Sequence, residues 1–282
     1  MTPSSPTKAK SSSRNALMVG AGILLSRLIG LVRERIFAHY FGNSDAADAF
    51  KAALKIPNLL QNLFGEGALS ASFIPVYARL LASDDEEEAS RVARVIGSIL
   101  AVTMSALVLA GVLATPYLIN LIAPGFRGVK KDETIRLVRI LFPGVGILVL
   151  SAWCLGIWNS HRRFFLPYAA PVLWNAAMIA TLVLYGGRGG LYPFAELVAW
   201  GAVVGSLLQF AVQIPSVVAL AGRLRFELET TSANIRTVIK NFLPSVGSRG
   251  VSQLSSYIDS FLASFLPTGA VASLAYAQTI YL

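Results

Sequence analysis

The sequence predicts an all-α membrane protein: a polytopic transmembrane helix bundle with about seven complete spans and the start of an eighth. Three observations predict it. Of the 282 residues, 55% are hydrophobic and only 14% charged, where a soluble domain carries about 25% charged residues. Charge is absent between Arg94 and Arg127, Arg139 and Arg162, Arg163 and Arg188, and Glu196 and Arg223. Each gap reaches or exceeds the roughly 20 residues that carry a helix across about 30 Å of hydrocarbon. The charges left within apolar stretches recur at helical spacing.

Taken in order, residues 1–14 are Ser-, Pro- and Lys-rich without apolar periodicity and read as a disordered basic tail. The apolar stretch Ala16 to Ser26 is followed by Arg27, Arg33 and Arg35 with no small-residue cleavage site, so it is not read as a cleaved signal peptide. Spans are expected at residues 15–41, 45–80, 92–122, 134–159, 167–186, 194–221 and 234–264, with an eighth beginning near 269. Residues 269–282 are still apolar at Leu282 and too few to cross a bilayer. That reads as half of a longer protein. Residues 15–222 hold the first six spans, the first lobe under the family resemblance given below. Residues 223–282 would form a linker, a seventh span and the beginning of a second lobe.

Lys and Arg placement predicts the orientation. With the N-terminus in the cytoplasm, twelve basic residues fall on the inner segments and six on the outer ones, as cytoplasmic loop bias requires. The acidic run Asp84 to Glu88 falls inside as a solvated loop. The net charge of +9 is spread over membrane loops, and no soluble basic module is left to hold a nucleic acid. The single cysteine, Cys154, stands in an apolar run. It excludes an intrachain disulfide and reads as a packing residue. His39 and His161 have no metal-ligand spacing, and no phosphate loop or nucleophile–base pair is present. Neither a metal, a cofactor nor an enzymatic activity is expected.

The intramembrane charges carry the functional reading. They are Arg27, Arg33, Arg35, Lys51, Lys55 and Arg249, with Glu34, Asp48, Glu66 and Asp259. In the second span Asp48, Lys51, Lys55, Asn58, Asn62 and Glu66 are three or four residues apart and share one helix face. A charged group at a helix centre costs about 2.5–3.5 kcal/mol, so four cost roughly 10–14 kcal/mol on the lipid side. The face must therefore meet a bundle interior or a watery cavity. Pro57 and Gly65-Glu66-Gly67 should bend or break the span, which is tolerated at membrane depth where it lines a cavity. Arg27 and Glu34 share a face of the first span with Gly30 between them, and Arg33 points about 120° away. The structural alternative is ion-pair glue, Asp48 with Lys51 and Glu34 with a neighbouring Arg. Arg249, Gln253 and Asp259 in the seventh span read either as cavity-facing or as interhelical partners. An excess of Arg and Lys suits an anionic substrate, a phosphate in particular.

Several segments resemble one family. Ser26-Arg27-Leu28-Ile29-Gly30-Leu31-Val32-Arg33-Glu34 resembles the SRxxGxxRD/E motif of the MviN/MurJ family. Asp48-Ala49-Phe50 with Lys55-Ile56-Pro57-Asn58-Leu59-Leu60 resembles its TDAF…KxPNLL. Glu66 to Pro75 is similar to its EGAFSxxFVP, Ala123-Pro124-Gly125-Phe126 to its APGF, and Ala170 to Asn175 to its APxLLN. The resemblance implies a lipid II flippase of the bacterial inner membrane, in the multidrug/oligosaccharidyl-lipid/polysaccharide exporter superfamily. Such a protein moves an undecaprenyl-pyrophosphate-linked precursor by alternating access of two lobes around a cationic cavity. By motif, Arg27, Arg33, Glu34, Asp48, Lys55 and Glu66 would be substrate-binding. Lys51 and Asn58 join them from the helical stripe. Arg27, Arg33 and Lys55 would attract the pyrophosphate. Two positions depart from the family pattern. Gln61 and Asn62 follow PNLL where Arg is common, and Gln278-Thr279 follow Tyr276-Ala277 where an Asp-Arg pair is common. A flippase for another polyprenyl-linked saccharide is thus the first alternative. A non-transporting scaffold for cell-wall proteins is the second. An enzyme acting on prenyl phosphates would need metal-binding carboxylates near the loops, and none cluster there. Expected partners are lipid II or a related glycolipid, the membrane, a second lobe, and other cell-wall synthesis proteins.

Overall fold

The computed structural model describes residues 6–162 and 165–281; for 6–19, 66, 165–168, 249, 251–256, 280 and 281 it describes the backbone only. Among the described residues the chain is helical throughout. The order is α1 (Pro6–Phe41), α2 (Asp45–Leu60), a π-helical segment (Gln61–Gly67), α3 (Ala68–Ala82), α4 (Glu86–Ile122), α5 (Gly128–Ser160), α6 (Phe165–Tyr185), α7 (Leu191–Ala221), α8 (Ala233–Ala263) and α9 (Ala270–Tyr281). α4, α5 and α7 are each long and apolar enough to cross a membrane by themselves. Along α4, Leu109, Leu113, Tyr117 and Leu121 form a bare stripe at four-residue spacing, 61–78% exposed. A stripe that width is at home against lipid chains rather than water.

Two boundaries differ from the sequence reading. α1 begins at Pro6, inside the expected tail. Pro suits the first helical position, and Lys and Ser are tolerated in a helix, so a lack of apolar periodicity does not stop one from forming. The acidic run is not a loop. Asp85 caps α4 through Glu88 N at 3.2 Å, and Glu86, Glu87 and Glu88 fill the first turn, where the positive end of the helix dipole favours them. The span expected over 45–80 is interrupted at the expected place, as α2 and α3 joined by the π segment. Pro57 lies within α2, and the wider π turn takes up the lost register at Gln61–Gly67.

α5 is the hub, packing against α2, α3, α4, α7 and the π segment. α1 lies along α6, α3 along α8, and α9 along α2 and α1. Among the described residues two large apolar cores result, with a smaller cluster around Ala52, Phe126 and Val271. One, toward the start of α2, stacks Phe41 on Phe194 at 4.8 Å and Phe37 on Phe41 at 4.4 Å, with the fully buried alanines of α2 letting it approach α5. The other gathers Phe73, Tyr77, Trp153 and Trp158 with Cys154. A polar cavity opens between them.

Candidate functional site

The cavity has a volume of about 790 Å³ and is walled by α1, α2, the π segment, α3, α5, α6, α7, α8 and α9. α1 and α2 supply its charged side. Arg33 Nη2 donates to Glu34 Oε1 at 2.6 Å, and Lys51 Nζ donates to the other carboxylate oxygen. Arg33 Nη1 also donates to Asn175 Oδ1 at 3.0 Å, and the guanidinium lies 4.8 Å from the Trp174 ring. Asn175 is turned for this role because its own amide nitrogen donates to Pro171 O at 3.0 Å. Lys51 rests over Phe37 at 4.3 Å and is 6% exposed. One α-helical turn on, Lys55 Nζ donates to Gln278 Oε1 at 3.3 Å, while its carbonyl accepts from Tyr257 Oη at 2.8 Å. Among the described residues the wall thus carries Arg33, Lys51 and Lys55 against the single carboxylate of Glu34.

The opposite side is neutral and rich in amides. Gln209 Nε2 donates to Ser151 Oγ at 2.9 Å, and Ser151 Oγ donates to Gln213 Oε1 at 3.1 Å. All three are at most 7% exposed. Asn159 Oδ1 is buried in the wall with no hydrogen-bond partner. Gln61 and Asn62 line the cavity from the π segment, and Gln278 and Thr279 complete the wall from α9. Both departures from the family pattern therefore stand on the cavity.

Of the expected site residues, the structure brings Arg33, Glu34, Lys51, Lys55 and Asn58 together on the wall. Of the six-residue stripe, Lys51, Lys55 and Asn58 line the cavity from α2 and Asn62 from the π segment; Asp48 does not, and the side chain of Glu66 lies outside the described residues. Arg27 and Arg33 exchange their expected places. Arg27 is exposed and not on the wall, whereas Arg33 reaches round α1 to Glu34 and Asn175. A long side chain overrides the 120° offset of its Cα. Of the ion-pair alternative, the Asp48–Lys51 pair does not form, whereas Glu34 does pair with a neighbouring Arg, Arg33. The side chains of Glu66, Arg249 and Gln253 lie outside the described residues, as does Arg163; Asp259 is exposed.

Asp48 instead locks one end of the bundle, beyond the cavity. It is 1% exposed. Lys130 Nζ donates to it at 2.6 Å, and Gly269 N and Ala272 N donate to it at 2.8 and 2.7 Å. It thus caps α9 as an N-cap carboxylate would, from another helix. Lys130 also reaches Asp45 at 2.9 Å, and Thr268 Oγ1 donates to Asp45 at 2.9 Å. Gly269 has φ +91°, and a Cβ there would stand 2.6 Å from Asn43 Cβ. Gly125 donates its N–H to Ser264 Oγ at 3.1 Å, and a Cβ on it would lie 2.1 Å from Ser264 O. The α1–α2, α4–α5 and α8–α9 turns are therefore interlocked.

A family model described as lipid II flippase MurJ matches residues 37–282. The chain belongs to the MurJ family of lipid II flippases. The family is one of transporters rather than enzymes. A probable lipid II flippase MurJ of Aquifex aeolicus (strain VF5) is 33% identical over 275 residues, covering 95% of this chain and 52% of the relative. A solved structure of the lipid II flippase MurJ in an inward closed conformation superposes with TM-score 0.78 at 28% identity, over 94% of this chain and 54% of that one. An inward-facing multidrug resistance transporter of the MOP superfamily shares the fold alone, at TM-score 0.66 and 21% identity over 90% of this chain and 57% of that one. The chain spans about half the length of the curated MurJ relatives it matches. It is a membrane-embedded, all-α member of the MurJ family.

Proposed function

We propose that the complete protein containing these residues is a lipid II flippase, and that residues 15–222 form the first of its two lobes. Residues 223–282 are then the linker and the opening of the second lobe. The observation that carries this reading is the cavity wall, where among the described residues Arg33, Lys51 and Lys55 stand with Glu34 inside an apolar helix bundle, and Asp259 is within electrostatic reach of Lys55. A wall rich in cations at membrane depth belongs on a water-filled cavity and suits an anion. A pyrophosphate supplies that charge, with Lys55, Arg33 and Lys51 as its attractors. The amides across the cavity offer donors and acceptors to the neutral saccharide and peptide portions. The polyprenyl tail stays in lipid while the headgroup crosses, and the two lobes rock about the site. The N-terminus is cytoplasmic in the bacterial plasma membrane, by the twelve-to-six basic split. On this reading Asp48 closes the far end of the cavity in the conformation described.

The occupancy of both departure positions by Gln61, Asn62 and Gln278 favours one alternative, a flippase for another polyprenyl-linked saccharide. Neutral amides bind hydroxyls as readily as a peptide, and they do not compel a second anionic contact. One experiment separates the readings. The complete protein, and its Lys55→Gln variant, are expressed in a bacterium depleted of its own lipid II flippase. Growth with the parent, lost in Lys55→Gln at equal membrane insertion, is the expected result. No growth with an inserted parent points to another lipid-linked saccharide. Undiminished growth with Lys55→Gln contradicts the assigned charge site.

A further inference from the structure

The link between α7 and α8 has an order that the cavity does not use and that packing uses on one side alone. α7 ends at Ala221, and Gly222, with φ +75°, turns the chain sharply. The next residues, Arg223-Leu224-Arg225-Phe226-Glu227-Leu228-Glu229, alternate charged and apolar side chains without exception. The segment is not helical, and in extended chain a period of two sends alternate side chains to opposite sides. One side is docked on α4. Glu227 N donates to Ser98 Oγ at 3.0 Å. The Glu227 carboxylate takes Arg94 at 3.1 Å and Arg91 at 3.6 Å, and Glu229 takes Arg91 at 3.1 Å. The other side is bare: Leu224 is 37%, Phe226 70% and Leu228 49% exposed.

The depth of this strap follows from its anchor. Residues 95–122 of α4 carry no charge and extend about 42 Å as a helix. The hydrocarbon core is about 30 Å and the bilayer with its headgroup layers about 40–45 Å. Ser98 stands one helical turn inside this run, which puts it in the headgroup layer. The strap is also continuous with the membrane-length α7. Exposed Arg223 and Arg225 are four and two residues from Glu227, beside the bare apolar row.

We propose that residues 223–229 are an interfacial membrane strap. Leu224, Phe226 and Leu228 insert at the boundary of headgroups and acyl chains, and Arg223 and Arg225 engage anionic phospholipid headgroups. Glu227, held by Arg91 and Arg94, sets which side of the strap faces the bilayer. An aromatic and flanking arginines at this depth are the side chains the interface favours. The strap would hold the start of α8 at a fixed level relative to α4 and α7, and its hold depends on anionic lipid.

The test places an environment-sensitive fluorophore on Phe226→Cys or Leu224→Cys of the full chain, with Glu87→Cys at the exposed start of α4 as the aqueous reference. Cys154 is fully buried and is replaced by Ser as a control. Vesicles of phosphatidylethanolamine, with or without phosphatidylglycerol, carry a nitroxide at headgroup depth. Expected for positions 224 and 226 are quenching by the nitroxide lipid and shielding from aqueous iodide, with the opposite at position 87. Adding Arg223→Gln and Arg225→Gln should remove the extra quenching that phosphatidylglycerol confers. Free access of iodide to position 226 overturns the proposal. Protection from both quenchers also overturns it, because another protein surface would then cover the row. Quenching indifferent to phosphatidylglycerol refutes the arginine contacts.

Discussion

Replacing Glu34 by Gln should destabilise the protein more than any other single isosteric change in the cavity wall. Glu34 is 9% exposed and takes both Arg33 and Lys51, so its removal leaves two cations facing each other without a counter-charge. Breaking a buried pair from one side costs about 3–5 kcal/mol, mostly through the charge left behind. For a chain of this size about 1 kcal/mol moves the melting temperature by roughly 2–4 °C, so a fall of roughly 6–20 °C is expected. The assay is built into the molecule. Cys154 is the single cysteine, buried in the core around Trp153 and Trp158, and a thiol-reactive dye that fluoresces on coupling reports its exposure on heating. Adding Lys51→Met should recover part of the loss, and the double-mutant cycle should give a coupling of about 0.5–3 kcal/mol. A Glu34→Gln protein that melts within about 2 °C of the parent would refute the reasoning, since a shift below that expected for about 1 kcal/mol means water screens the cluster.

Two further perturbations probe the interlocked turns. Asp48→Asn keeps the shape but offers one acceptor oxygen where two backbone N–H groups and Lys130 now converge. A donor left unpaired costs about 1–3 kcal/mol, and amide exchange at Gly269 and Ala272 should accelerate roughly 5- to 150-fold; unchanged exchange would remove Asp48 as a lock. Gly125→Ala forces a Cβ to within 2.1 Å of Ser264 O, so the two turns must part at a cost of about 1–3 kcal/mol. Melting unchanged from the parent would show that the turns are not held together.

The sequence was most informative where periodicity alone decides. The α2 stripe of Lys51, Lys55, Asn58 and Asn62 was legible because a helix repeats every 3.6 residues, and the π segment was foreshadowed by Gly65-Glu66-Gly67. Periodicity turned Arg33 away from the cavity although the family resemblance named it a site residue, because Cα direction does not fix where a guanidinium five bonds away ends up. Asp48 belongs to the stripe in sequence but stands beyond the cavity, and its partner is Lys130 rather than the Lys51 of the ion-pair alternative. Lys130 is 82 positions distant, and a tertiary pairing of that kind leaves no local pattern. The neutral wall was passed over although a signal existed. Gln209 and Gln213, four residues apart in an otherwise apolar span, mark one polar face as clearly as charges do. Ser151 had no such mark, since a lone serine is common in membrane helices.

The central claim is that the cavity between α2 and α7 is wet and receives a lipid-linked pyrophosphate. Single cysteines at Asn58 and Asn62 on the cavity face, and at Ala53 in the apolar core, test it in the complete protein carrying Cys154→Ser. Membranes are treated with a small anionic thiol reagent, with and without added lipid II. The account predicts rapid modification at Asn58→Cys and Asn62→Cys, slowed by lipid II, and no modification at Ala53→Cys. Equal protection of all three positions, or modification at Asn58→Cys indifferent to lipid II, would contradict it.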